Sequence, residues 1–455
     1  MLKKFVFILI LFFTHANALK IEINKGHIQP DPIAIVDFCD VDGDDIEIGN
    51  EISCIIKNDL KLSGLFVPLS SDSFLENKKT LCKNGPNIKN WKVLGARFLV
   101  YGKVTQKARS LNVEFELIDV VTNQKMLSLK LEGSYSKLRK ISHAIADYIY
   151  ERITNEQGYF NTQIAFVETA NGKDSQKRKT RIVVMDQDGF NPTSVTDGSE
   201  LVITPRYDSS GQSLIYISYR DNGKGSLGKS AHVYMMNKRG ARTLLINEKL
   251  MKLLVKKNHG NPVQMTYAPR FSPNGEDVVL AIIIDGKSAI YKINLATNQL
   301  IQLTEHSCID TSPCFSNDGK KIVFTSNRHG REAIYIMDED GANPKKISKG
   351  DGKYSQPIWS PRGDFIAFSK QIDGQFFLGI MTPYGSGERL IVSRYLIEAP
   401  CWASNGRSLS YSMESGPGKK SQIGIVDITG YNDRIVDTPK DASYPAWSPT
   451  VKMNN

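Results

Sequence analysis

The stretch Pro313-Cys-Phe-Ser-Asn-Asp-Gly319, continued by Ile322-Val-Phe-Thr-Ser326 and Ile334-Tyr-Ile-Met-Asp-Glu-Asp-Gly341, holds the fold in miniature. Asn317-Asp318-Gly319 is a turn whose Gly tolerates the positive φ that tight turns need. Short β-branched and aromatic runs follow, separated by polar Asn/Asp/Gly segments, and Lys345-Lys-Ile-Ser348 closes the unit. Such runs between turn signals read as strands and hairpins, four to the unit.

The opening phrase recurs six times, as Pro205-Arg-Tyr-Asp, Pro269-Arg-Phe-Ser, Pro313-Cys-Phe-Ser, Pro357-Ile-Trp-Ser, Pro400-Cys-Trp-Ala and Pro445-Ala-Trp-Ser. From Pro269 the spacing is 43 to 45 residues; the first interval is stretched to 64. A fixed period of about 40–45 residues suits one four-stranded propeller blade. A helical solenoid would need amphipathic 3.6-residue runs, which these repeats lack.

The sixth copy has only its first strand. Ahead of the first copy, Ile182-Val-Val-Met-Asp-Gln-Asp-Gly-Phe-Asn-Pro192 matches Ile334–Pro344, the rear half of the full unit, at seven of eleven positions. An unpaired front half and an unpaired rear half complete one blade, and closing the ring removes the open edges. The expectation is a six-bladed propeller whose last blade is built from both ends of the domain, over 159–455.

Residues 1–18 read as a secretory signal peptide: Lys3 and Lys4, the apolar run Phe5–Phe13, and the small-x-small site Ala16-Asn-Ala18. The run is too short to cross about 30 Å of bilayer. Residues 19–158 differ in pattern. Leu111, Val113, Phe115 and Leu117 alternate with polar residues, as do Leu127, Leu129 and Leu131. Leu138, Ile141, Ile145, Tyr148 and Ile149 predict a helix over 137–154, and Ile48, Ile52, Ile55 and Ile56 another near 46–58. The expectation is a small α+β domain with helices packed on one side of a sheet.

Cysteines stand at 39, 54, 82, 308, 314 and 401 without a C-x-x-C pair. Export permits one bridge among Cys39, Cys54 and Cys82, and the spacing does not choose the pair. The propeller cysteines read as small buried residues. The formal charge of +10 falls to +8 when Lys3 and Lys4 are removed. The excess concentrates in two runs read as basic loops, 173–181 and 249–257. For an exported chain, acidic protein or envelope polymer is a better partner than nucleic acid.

Two motif matches fail on context. Gly223-Lys-Gly-Ser-Leu-Gly-Lys-Ser230 fits the phosphate-loop pattern, but strands rather than a helix flank it. Asp40-Val-Asp-Gly-Asp-Asp with Glu51 resembles a calcium loop, yet Asp45 stands where a Gly is needed. Its carboxylates read more simply as caps for the following helix. No G-x-S-x-G nucleophile elbow and no paired zinc histidines occur, so the chain reads as no enzyme and carries no predicted metal or cofactor. The enzymatic alternative is an exported propeller hydrolase or lyase acting on envelope glycans.

Tyr444-Pro-Ala-Trp-Ser-Pro449, Pro269-Arg-Phe-Ser-Pro-Asn-Gly275, Ile334–Gly341 and Phe98-Leu-Val-Tyr-Gly-Lys-Val104, in this order behind a signal peptide, resemble the TolB family of the Tol-Pal envelope system. The resemblance implies a non-enzymatic periplasmic protein, monomeric on its own. It implies that the propeller binds the lipoprotein Pal and that a short N-terminal segment binds TolA. Roles in outer-membrane integrity, cell division and bacteriocin import go with it. The TolA segment would be Leu19, Lys20, Ile21, Glu22, Ile23 and Asn24. Placing each Pro phrase where the chain enters an innermost strand puts Thr204, Thr266, Ala268, Thr311, Gln356, Glu398 and Tyr444 around one channel mouth. These are the expected Pal contacts.

Overall fold

The computed structural model describes residues 29–44, 46–170, 179–221 and 229–450, so the signal peptide and Leu19–Asn24 lie outside the described residues. The first part is a five-stranded sheet built from β1 (Asp31–Ile35), β2 (Phe66–Pro68), β3 (Phe98–Lys107), β4 (Ser110–Asp119) and β5 (Gln124–Ser134), in the order β2-β1-β3-β4-β5. β1 runs parallel to β2 and β3, and β3 to β5 form an antiparallel meander.

Four helices accompany the sheet: α1 (Glu47–Leu62), α2 (Lys78–Asn84), α3 (Ile88–Val93) and α4 (Leu138–Thr154). They cover both faces, which corrects the one-sided expectation. Ile33 and Ile35 pack with Ile52, Ile56, Ile141 and Ile145 of α1 and α4, whereas Ala34 and Val36 pack with Leu81 and Trp91 of α2 and α3. A strand buried on both faces reads as a continuous apolar run, here Ile33-Ala-Ile-Val36, and carries no alternation.

Among the described residues no acidic side chain before α1 caps it, contrary to expectation. The helix starts behind Ile46 with no side-chain cap bond. Asp40 Oδ1 instead accepts the N–H groups of Asp42 (2.9 Å) and Asp44 (2.8 Å), turning its own loop. Cys39 and Cys82 form the disulfide, with Cα atoms 6.6 Å apart, and Cys54 is free. Joining positions 43 residues apart stabilises by about 4 kcal/mol through the unfolded state. Cys308 and Cys314 are half-buried and only Cys401 is fully buried, so the reading of all three as buried holds for one.

The second part is a propeller of six four-stranded blades. Its sixth blade joins the C-terminal strand Asp441–Trp447 to β6 (Gln163–Ala170), β7 (Lys179–Asp186) and β8 (Thr193–Ser194), the closure expected from the two half-units. The register runs from Asp441 opposite Thr169 to Trp447 opposite Ile164. Three bonds finish the closure: Trp447 Nε1 to Thr162 Oγ1 (2.7 Å), Gln163 N to Ser448 Oγ (2.9 Å) and Ser448 N to Gln163 O (2.8 Å). The Asp-Gly turns also separate blades: a Cβ on Gly341 (φ +93°) would meet the Leu303 carbonyl oxygen of the preceding blade at 2.4 Å.

The basic run 249–257 is not a loop but α5 (Glu248–Lys257). It buries Leu250 and Leu254, and Asn247 accepts the Leu250 N–H. Of the other run, Lys179–Arg181 begin β7 and residues 171–178 lie outside the described residues. The phosphate-loop match is flanked by paired antiparallel strands, with Asp221 opposite Lys229. No described helix is long and apolar enough to cross a membrane.

Candidate protein-binding site at the propeller channel

The innermost strands are Leu201–Tyr207, Val263–Phe271, Asp310–Phe315, Lys353–Trp359, Leu396–Trp402 and Asp441–Trp447. Each carries its Pro phrase inside the strand, not at the point of entry. In every blade the residue before the Pro is left-handed: Thr204, Ala268, Ser312, Gln356, Ala399 and Tyr444 all have φ of 51–52°. The pairing register shifts at the same place in each blade, so each innermost strand bulges there. A non-Gly residue in this conformation costs of order 1–2 kcal/mol, and a bulge re-aims the side chains around it.

The six bulges line the waist of the channel, a cavity of about 50 Å³ bordered by all six left-handed residues and by Arg206 and Arg270. Of the expected rim residues, Thr204, Ala268, Gln356 and Tyr444 stand at this waist, inside their strands and not at the entry. Thr311 and Glu398 precede it by one residue. Thr266 is buried and donates to the Ala231 carbonyl of the first blade (3.3 Å), so it spaces two blades. Ser312 and Ala399 are the two waist residues missing from the expected set. Aligning the residue before Pro in all six phrases would have named them.

The waist is stitched from blade to blade. Gln356 Oε1 accepts the Ala399 N–H (2.6 Å), Tyr444 N donates to Ser412 Oγ (2.6 Å), and Arg206 Nη1 donates to the Pro445 carbonyl (3.2 Å). Burial and then the Glu414 charge hold the Glu398 carboxyl above its ordinary range. Burial, followed by the Glu398 charge, raises the Tyr444 hydroxyl. The waist is therefore a ring of buried and half-buried residues tied from blade to blade.

At the mouth where the innermost strands begin, apolar side chains stand in solvent. Ile309, immediately before its innermost strand, is 45% exposed, and Tyr395, in the same place two blades on, is 50% exposed. Leu253 of α5, ahead of the second innermost strand, is 55% exposed and lies among the exposed Lys249, Lys252 and Lys256. The backbone under Ile309 is fixed: its N–H donates to Asn327 Oδ1 (2.8 Å) and its carbonyl accepts from Asn327 N (3.3 Å).

The two parts of the chain meet through a polar cluster and an apolar one. His143 Nδ1 of α4 lies 2.6 Å from Asp59 Oδ2 of α1, and Asp59 Oδ1 accepts from Gln187 Nε2 of the sixth blade (2.9 Å). Arg139 donates to Asp186 (2.9 Å) and Asp188 (2.6 Å). His143, Asp186 and Asp188 offer ligand atoms within 4.8 Å of one another, but the Arg139 guanidinium already supplies the positive charge a metal would bring. Both His143 and Asp59 are buried, so their pairing fastens an interface and is not open to a substrate. On the apolar side, Tyr159 meets Tyr150 of α4 edge-on at 5.8 Å and Trp447 at 6.0 Å, making one core continuous from α1 and α4 into the sixth blade.

Comparison with known proteins agrees with this layout. Residues 19–126 match the family described as the TolB amino-terminal domain, and residues 150–451 that of the TolB beta propeller domain. The chain is 40% identical over 458 residues to the Tol-Pal system protein TolB of Rickettsia prowazekii (strain Madrid E), covering 97% of this chain and 98% of that one. It is 36% identical over 436 residues to the protein of the same name from Gluconobacter oxydans (strain 621H), covering 94% and 88%. A crystal structure of TolB from Acinetobacter baumannii superposes with a TM-score of 0.79 at 24% identity, covering 92% of this chain and 97% of that one, which is a likeness of fold.

Proposed function

Because this chain belongs to the TolB family of Tol-Pal system proteins, we propose that it is a non-enzymatic protein-binding component of the periplasm. In this reading it binds the lipoprotein Pal at the propeller mouth and TolA through Leu19–Asn24, supporting envelope integrity and constriction. The observation that carries the Pal assignment is the rigid mouth with Ile309, Tyr395 and Leu253 exposed on it. Convergent loops on a fixed scaffold are where recognition residues concentrate, and exposed apolar groups ringed by charge suit a protein partner. The waist residues Thr204, Ala268, Gln356 and Tyr444 then lie behind the contact, holding the mouth in shape.

The test is a calorimetric titration of the mature chain with the soluble part of Pal. Ile309→Asp with Tyr395→Asp should weaken binding by about 30-fold or more, the scale of a lost hot spot, while thermal unfolding stays put. Undiminished binding would exclude this mouth. Deleting Leu19–Asn24 should abolish TolA binding and leave Pal binding intact; retention of TolA binding would remove the role of that segment.

A further inference from the structure

The position after the repeated Pro is uncharged in four blades, as Cys314, Ile358, Cys401 and Ala446, and is Arg206 and Arg270 in the first two. Arg206 is 8% exposed. Among the described residues its acceptors are the carbonyls of Pro205 (2.7 Å) and Pro445 (3.2 Å), both reached through Nη1. Neither Arg206 nor Arg270 forms an ion pair with a described carboxylate, and Glu398, although close to Tyr444, pairs with neither. Thr204 Oγ1 is also buried at the waist without a hydrogen-bond partner.

Two guanidinium groups and an unpaired hydroxyl thus border one small cavity whose other walls are neutral. A buried charge without a counter-charge costs several kcal/mol, and a guanidinium cannot escape the cost by losing its proton at neutral pH. Burial and the neighbouring Arg270 push the Arg206 pKa down to about 9, which is the imprint of that cost. Two carbonyl acceptors satisfy part of one group and neutralise neither.

We propose that the channel waist binds a single monovalent anion, of halide or carboxylate size, between Arg206 and Arg270, with Thr204 Oγ1 as a further donor. About 50 Å³ holds one such ion with little accompanying water and excludes a sugar acid. The chemistry is common to a free halide and to a carboxylate, including one carried on the side chain of a partner that reaches into the channel.

The experiment is thermal unfolding of the full mature chain at constant ionic strength, exchanging sodium gluconate for bromide or for formate. A bound anion raises Tm saturably, by about 2 °C or more well above its Kd. A response to bromide indicates a free halide, and a response to formate alone indicates a carboxylate ligand. Arg270→Gln, at a half-buried position, should abolish the response. Independently, wild-type crystals soaked in whichever anion raises Tm should show it beside the Arg206 guanidinium. The proposal is overturned if neither anion shifts Tm more than gluconate does, if Arg270→Gln retains the full shift, or if the soaked waist holds no anion.

Discussion

Replacing Trp447 by Ala should damage this protein more than the same change at Trp359, the equivalent position of the fourth blade. Trp447 is 5% exposed, its indole N–H donates to Thr162 Oγ1 at 2.7 Å, and its ring meets Tyr159 edge-on. Truncating a buried Trp costs about 3–5 kcal/mol, which already includes the cavity left behind. Losing the aromatic pair adds to the upper part of that range. Thr162 keeps its bond to the Tyr159 carbonyl, so no orphaned donor enlarges the loss. A reasonable total is about 4 kcal/mol. Trp359 holds the same place in the fourth blade, but it is half-buried and its indole reaches only the Gly363 carbonyl of its own turn (3.3 Å). Trp359→Ala should cost about half as much. Urea titration followed by far-UV circular dichroism should show the Trp447→Ala midpoint lowered by about 1 M. In a Trp447→Ala chain that also carries Trp359→Phe and Trp402→Phe, fluorescence comes from the fully buried Trp91 alone and reports the first part of the chain. Because Trp447 belongs to the core that both parts share, the two signals should move together. Equal losses at Trp447 and Trp359, or a fall in the propeller signal alone, would refute the argument.

Two further outcomes follow from the junction. Gly158→Ala would bring a Cβ to 2.4 Å from Asp147 Oδ1 and 2.7 Å from its Cα. Asp147 also accepts the N–H groups of Phe160 (2.7 Å) and Asn161 (3.1 Å), so a loss of about 2 kcal/mol or more is expected in the same titration; a neutral result would mean that the junction yields freely. The second outcome concerns pH. Burial depresses the His143 pKa, but the Asp59 carboxylate more than reverses this, leaving it raised; burial raises Asp59 itself against the pull of His143. A raised His contributes stability that is complete below about 6.5 and is lost as pH climbs through the folded value, while a raised Asp adds a cost from about 3.9 upward. The stability gap between the wild type and His143→Gln should therefore be widest near pH 6 and narrow toward pH 9. A gap that is flat or widens contradicts the sign of the argument.

The blade count and the ring closure were legible because turn chemistry leaves a residue-level mark. The Asp-Gly turns at Gly189 and Gly341 share a φ of 93°, a value that favours Gly. The waist left no such mark. Thr204, Ala268, Ser312, Gln356, Ala399 and Tyr444 have no chemistry in common, since the bulge imposes the left-handed backbone on whatever stands there. The Pro phrase therefore read as the entrance to a strand when it marks the middle of one. The helix α5 was hidden by its charge: the lysines of 249–257 drew attention from Leu250 and Leu254, four residues apart on the buried side. The two-sided packing of the first sheet was hidden because β1, apolar on both faces, has no period. The disulfide left no mark in the sequence, because three cysteines allow three pairs and only Cα separation decides among them.

The sixth blade also fixes when the molecule can finish folding. Its second, third and fourth strands are made first, at Gln163–Ser194, and its innermost strand comes last, at Asp441–Trp447. Throughout synthesis β6 must wait with one edge bare, while the blades between the two halves assemble without a closed ring. Residues that leave the ribosome some 270 positions apart become neighbours only at the end. Large loops close slowly, so the interval before Trp447 arrives is when this chain is most exposed to edge-to-edge aggregation.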